Sequence, residues 1–297
     1  MLRRIRQECK DLVEFVLIPG LAAVLPWTIC FQLFKWLSRR QFLYRAESER
    51  ALRQANALGW VTDAKSWIAA RRLTTLVDHA DQYLALSRSD AWLKKHMHAM
   101  GEWPFERRAA IFCTFHWGAG MWALRHAAAA GVHAHMLVAE PTSAAFKGRT
   151  TYHRYIRSRI ASIARILRRP TFDSETAMRH ALTALRGGEP LMAVVDVPAD
   201  QVSASEPITL IGMPTRVPRA LFRLAVDRQL PLTVFWSGFD YDDGSRFIQI
   251  KTLGVYQDVQ LLIRDVFLHL ETVIKENPPA WHFWGESARF FRRDGTN

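Results

Sequence analysis

The chain has 297 residues, 49% of them hydrophobic and 23% charged, a balance that excludes a disordered or collagen-like chain and suits one domain with a large core. Its net charge of +12 suits an anionic membrane surface, an acidic carrier or an acidic substrate; with no zinc-finger spacing and no aromatic–glycine RNA-binding signature, nucleic acid is not the expected partner. Three cysteines, Cys9, Cys30 and Cys113, form no CxxC pair, so neither a disulfide framework nor a metal site is expected, and a reducing cytosolic side is.

Residues 15–34 carry no charge, about the length that spans a bilayer core as a helix. Lysine and arginine flank both ends (Arg3, Arg4, Arg6 and Lys10, then Lys35, Arg39 and Arg40), whereas a spanning helix leaves its excess on one side. Pro19-Gly20 and Pro26 interrupt the run, and proline bends or breaks a helix. Two forms fit: a spanning helix, or a segment that dips into the membrane or lies along it. Residues 1–45 are therefore expected as a membrane-associated segment ahead of a domain at 46–297. A buried helical hairpin packed on that domain is the plainer alternative.

From residue 46 the chain reads as helix first, then as alternation. Residues 46–57 form a polar helix; Thr62-Asp63 starts another, in which Trp67, Leu73, Val77 and Leu84 recur at helical spacing. Ser89-Asp90 starts a short one. Strand-like runs at 109–115, 132–139, 190–195, 208–211, 232–236 and 246–251 then alternate with helix-like runs at 120–130, 150–167, 219–227 and 259–276. Asp173 is expected to cap a helix ended by Gly187-Gly188, and Asp242-Asp243-Gly244 to turn a hairpin. The expected fold class is α/β, a central mostly parallel sheet flanked by helices.

The most informative residues are Phe115-His116-Trp117-Gly118. They leave a buried strand and enter a helix, and strand ends of open α/β sheets are where ligands bind. Imidazole is the side chain best suited to take a proton near neutral pH. The basic stretch 149–159 offers Arg149, Arg154, Arg157 and Arg159 to a phosphate or an acidic carrier; a solvated basic helix face is the alternative. Asp196 leaves a second strand, where an Asp before Val197-Pro198 is also suited to capping a turn.

The order of these pieces resembles the lysophospholipid acyltransferase superfamily, in particular its lipid A biosynthesis (late acyltransferase) branch. The resemblance rests on His116-Trp117-Gly118 at a strand end, on Asp196 after a later strand, on Ile208-Thr209-Leu210-Ile211-Gly212-Met213-Pro214-Thr215, and on Asn277-Pro278-Pro279-Ala280-Trp281-His282-Phe283-Trp284 near the C-terminus. It departs where the family carries an acid five residues after the histidine, since Met121 stands there, and where the closing tryptophan is followed by Gly285-Glu286-Ser287-Ala288-Arg289 rather than His-Arg-Arg.

The resemblance implies a membrane-associated acyltransferase on the cytoplasmic face of a bacterial inner membrane. Its donor would be an acyl carrier protein or coenzyme A thioester, its acceptor a lipid or glycolipid hydroxyl or amine, and no other cofactor is implied. His116 would be the general base, with Asp196 or Glu140 replacing the missing carboxylate and Glu286 a weaker candidate. Arg149, Arg157, Arg159, Trp117 and Gly118 would bind substrate, and amides of 117–120 would hold the oxyanion. The competing expectation is a non-catalytic relative, lipid-binding or complex-forming, that lost the acid at Met121.

Overall fold

Strands of almost unbroken apolar character need helices over both faces, and the computed structural model, which describes residues 2–104, 109–139, 146, 148–173 and 177–291, has that architecture. The strands of its main sheet are β1 (Met97–Met100), β2 (Ile111–Thr114), β3 (His135–Val138), β4 (Phe172–Asp173), β5 (Leu191–Val194), β8 (Leu232–Phe239) and β9 (Arg246–Gly254), in the order β1-β9-β8-β2-β5-β3-β4. Every neighbouring pair is parallel except β8 with β9. A separate ribbon, β6 (Ser205–Leu210) with β7 (Met213–Pro218), is antiparallel.

Side chains alternate between two cores. On β2, Phe112 joins one apolar cluster with Met192, Phe235 and Ile248, while Ile111 and Cys113 join the other with Leu191, Leu232 and Val234. The first cluster is covered by α5 (Ala64–Ser87), α7 (Met121–Ala129), α8 (Thr150–Leu167) and the N-terminal helices; the second by α9 (Ala177–Arg186), α10 (Ala220–Asp227) and α11 (Val259–Glu276). Side chains start the helices where expected. Asp63 accepts from Lys65 N and Ser66 N, Ser89 from Trp92 N at the head of α6 (Asp90–Lys95), and Asp258 from Gln260 N and Leu261 N.

The N-terminal segment is a helical hairpin: α1 (Leu2–Leu12), a π turn (Val13–Leu17), α2 (Ile18–Val24), then α3 (Trp27–Ser38). None of the described helices is long and apolar enough to cross a membrane. Pro26 breaks the chain as expected, but Pro19 sits in the first turn of α2 without breaking it. The Phe15 carbonyl, four residues back and denied a donor by Pro19, accepts the Tyr83 hydroxyl at 2.6 Å instead. The hairpin packs on α5, and its Phe31 and Phe34 are wholly buried in the core shared with the sheet. α4 (Arg45–Ala57) follows.

Two local features were not foreseen from the sequence. Met97–Met100 is a strand although it buries only Met97, so it lacks the period-two signal of a half-buried strand. The 208–211 strand is half of a hairpin whose return strand carries Pro214 and Pro218, residues that argue against a strand except on an edge. Its turn, Ile211-Gly212, has positive φ at both positions, as a two-residue hairpin favours. Asp173 ends β4, and the helix start that it was expected to cap falls at residues 174–176, outside the described residues.

Candidate functional site

β2 and β5 are adjacent and parallel, so whatever follows Thr114 and Val194 emerges at the same sheet edge. His116 and Asp196 meet there. Asp196 Oδ1 accepts from the His116 backbone N–H at 2.8 Å and lies 3.0 Å from His116 Nδ1. Its Oδ2 accepts from Trp281 Nε1 at 2.9 Å. Two N–H donors, the His116 amide and the Trp281 indole, therefore hold a carboxyl with no exposed surface, an arrangement suited to a carboxylate. A carboxylate only accepts, so Nδ1 carries the hydrogen and the lone pair of the neutral ring is on Nε2. The His116 side chain is 37% exposed and packs edge-on against Phe283, with ring centroids 4.5 Å apart. The geometry is that of an oriented base: a fixed imidazole with a basic nitrogen turned away from its carboxylate.

The corner is fixed by Gly118. Its φ is +69°, and a Cβ there would lie 2.1 Å from the Ser237 carbonyl oxygen on the neighbouring strand β8. Only glycine lets the chain turn so close to the sheet. Gly118 N donates to Ala280 O at 3.0 Å and Ala119 N to Ser237 O at 3.1 Å. These amides are thus occupied rather than directed at an oxyanion, and Gly120 N faces Asp78 Oδ1 at 3.4 Å. Trp117 is buried, its indole N–H on Val273 O, so the described contacts of Trp117 and Gly118 are internal ones.

Two of the three arginines expected at the substrate are also engaged internally. Arg149 forms a two-pronged pair with Asp11 (2.8 and 2.7 Å) and stacks on Tyr152. Arg159 reaches inward to Asp78 at 2.7 Å. Arg157 faces solvent, as do Arg154 and Arg165 on the same side of α8 and Arg168 at its C-terminal cap. Glu286 pairs with Arg50 (3.1 Å) and Arg289 (3.3 Å). Glu140 lies outside the described residues. Met121 is buried at the start of α7.

The residues after α11 carry more of the site than sequence reasoning gave them. His282 N donates to His116 O at 2.8 Å. His282 Nε2 lies 2.8 Å from Gly118 O, and Arg71 Nη2 3.1 Å from its Nδ1. A carbonyl only accepts and a guanidinium only donates, so His282 is neutral with its hydrogen on Nε2. Burial, reinforced by Arg71, pushes His282 down to about 3. Burial does the same to His79, whose Nδ1 meets the Tyr155 hydroxyl at 2.7 Å. Burial alone would raise Asp78, but the charges around it, the Arg159 guanidinium 2.7 Å away foremost, hold it well below its usual range. A cleft of about 330 Å³ opens over this network, lined by Lys10, Glu14, Tyr44, Glu47, Asp78 and His282 among others.

These imidazoles set an acid limit on the fold. Below about pH 6.5 the unfolded chain takes up protons that the folded His79 and His282 refuse until about pH 3. The unfolded state then binds more protons, so stability falls as pH falls across that window, by up to about 1.4 kcal/mol per pH unit for each imidazole. Asp78 adds to the loss only below about pH 4, its folded value being the lower. Urea midpoints are expected to drop steadily from pH 7 to pH 5, and less steeply in His79→Gln. A midpoint flat over that range would contradict neutral, half-buried imidazoles.

No family model fits the chain and no curated protein matches it.

Proposed function

We propose that the protein is a membrane-associated acyltransferase in which the His116–Asp196 pair is the base. The observation that carries the reading is the 3.0 Å contact of Asp196 Oδ1 with His116 Nδ1 at the ends of adjacent parallel strands. It supplies from β5 the carboxylate that Met121 cannot supply. In the reaction, His116 Nε2 takes the proton of an acceptor hydroxyl or amine as that atom attacks the thioester carbonyl. The tetrahedral intermediate collapses, the carbon–sulfur bond breaks, and the imidazolium returns its proton to the departing thiolate. The products are an ester or amide and a free thiol. The acceptor is a lipid or glycolipid, and the polar cleft beside His282 fits a hydroxyl- or amine-bearing headgroup. The place of action is the cytoplasmic face of a bacterial inner membrane.

The acyl donor is carried by acyl carrier protein or coenzyme A. Arg154, Arg157 and Arg165 fall within about 80° of one another around α8, over about 17 Å of its length, and Arg168 follows at its C-terminal cap. They are exposed, and no ion pair reaches them among the described residues. That stripe, rather than Arg149 and Arg159, is the face for an acidic carrier. The test is thiol release from labelled acyl thioesters by purified protein with membrane lipid. Lipid-dependent release is expected, faster with the carrier thioester at low salt and less so as salt rises. No release above blank from either donor would reject the reading in favour of a non-catalytic relative, to which the buried Met121 points.

Membrane contact rests on the hairpin surface. Val24 is 74% exposed and Ile29 59%, on either side of the Pro26 turn, with Leu17 and Trp36 also exposed along the two arms. Arg40 lies over the Trp36 ring, and Arg3, Arg4, Arg6 and Arg39 are exposed nearby in sequence. An apolar tip with basic flanks suits a segment lying in the interface of an anionic bilayer. Because Phe31 and Phe34 are core residues, deleting the segment would damage the fold, whereas surface substitutions test the contact alone. Val24→Ser/Ile29→Ser/Trp36→Ser is expected to weaken binding to phosphatidylglycerol vesicles by more than tenfold, since each side chain contributes about 1.5–3 kcal/mol when fully buried. Unchanged vesicle binding would contradict it.

A further inference from the structure

We infer that Trp281 is a positioning residue for the His116–Asp196 pair, an inference that rests on the function proposed above. Asp196 has two oxygens and one task, to present Oδ1 to His116 Nδ1. Oδ1 is held by the His116 amide, but the amide and ring both belong to the residue being oriented. The one hydrogen bond to the Asp196 carboxylate from outside that pair, among the described residues, is Trp281 Nε1–H on Oδ2, at 2.9 Å. That bond stops rotation of the carboxylate about its Cβ–Cγ bond and satisfies an oxygen that burial removes from water.

The indole is itself held on two sides. Its ring has no exposed surface and packs edge-on against Trp284, Phe290 and Phe283, with centroids 5.1, 5.3 and 6.4 Å away. Its backbone pairs with Trp117 as an antiparallel bridge, closed by His282 N on His116 O and Gly118 N on Ala280 O. The main chain of the Trp281 segment is thus tied to the main chain of the histidine corner, and its side chain reaches past it to the carboxylate. A change in the angle between β2 and β5 moves His116, Asp196 and Trp281 against one another, so the three set one geometry. The motif that resembles the family's C-terminal signature therefore serves, in this chain, the base as well as the core.

Trp281→Phe keeps the aromatic packing and removes the donor. The expected result is a kcat lowered about 10- to 100-fold with KM little changed, the size of loss typical when the outer partner orienting an imidazole is removed. In an Asp196→Asn background the same substitution is expected to add less than about threefold, because the bond it removes no longer orients a carboxylate. Equal losses in both backgrounds would mean general structural damage and would overturn the inference.

A second readout needs no activity. In nitrogen-15 spectra of the full chain, the His116 Nδ1–H signal, identified by its loss in His116→Gln, is expected to weaken and exchange faster in Trp281→Phe. The Trp281 indole N–H signal is expected to shift in Asp196→Asn, a measurement that stands even where Trp281→Phe folds poorly. Signals unmoved in both variants would overturn the positioning role. A wild-type protein that transfers no acyl group would reject the proposed function, while these spectra still decide whether Trp281 holds the pair.

Discussion

His116→Ala is expected to abolish most acyl transfer, with a loss of about 10²–10⁴-fold, the usual contribution of a positioned base. The fold should survive the change. The side chain is partly exposed, and the corner is held by backbone bonds that alanine keeps: His116 N on Asp196 Oδ1 and His282 N on His116 O. Asp196→Asn should lower kcat while leaving KM close to the wild-type value, because the amide preserves shape but no longer holds the tautomer with its lone pair on Nε2. Placing a carboxylate at Met121 should not rescue either variant: that side chain is buried, and an unpaired carboxylate there costs several kcal/mol. Initial rates of thiol release from an acyl thioester check all three, and full activity in His116→Ala would end the account of His116 as base.

The largest effect on stability is expected at Asp81. Its carboxylate has no exposed surface and pairs through Oδ1 with both Nε (3.0 Å) and Nη2 of Arg246, itself only 2% exposed. Arg246 also donates to Gly244 O at 3.3 Å and lies between the rings of Trp27 and Trp122, 4.0 and 4.2 Å from their centroids. One guanidinium thus joins α3, α5, α7 and β9, attaching the N-terminal hairpin to the sheet. Asp81→Ala strands that cation in the core and should cost about 3–5 kcal/mol. The double change Asp81→Leu/Arg246→Met should cost much less, since a buried pair can be replaced by apolar groups of similar volume at little net loss. Urea unfolding at pH 7 checks both, and a loss under about 1 kcal/mol in Asp81→Ala would contradict the role of the pair.

Much of the fold was legible where local signals agree. Asp63, Ser89 and Asp258 cap the helices that follow them, and the strands at 111–114, 191–194 and 232–239 are apolar because helices cover both of their faces. The pieces that were not legible depend on partners distant in sequence. Pro19 is tolerated because Tyr83 takes over a carbonyl 68 residues away. The head of α8 is capped not by its own residues but by Glu8, which accepts from Thr150 N and Thr151 N at 2.6 and 2.8 Å.

The candidate site divides in the same way. His116 and Asp196 could be placed at one sheet edge because each leaves an apolar strand, and the structure brings them into contact. Charge alone could not tell which arginines face outward. Arg149 and Arg159 meet Asp11 and Asp78, acids 138 and 81 residues away that no local pattern links to them. Trp281 and His282 stand in sequence only as part of the C-terminal motif; their contacts with Asp196 and Gly118 depend on partners 85 and 164 residues away.

The most direct measurement is mass spectrometry of membrane lipids from cells expressing the wild-type protein, His116→Ala, or neither. The account predicts a lipid heavier by one acyl group that appears with the wild-type protein and is absent from the other two. The same lipid profile in all three, or the same acylated species with His116→Ala as with the wild type, would contradict it.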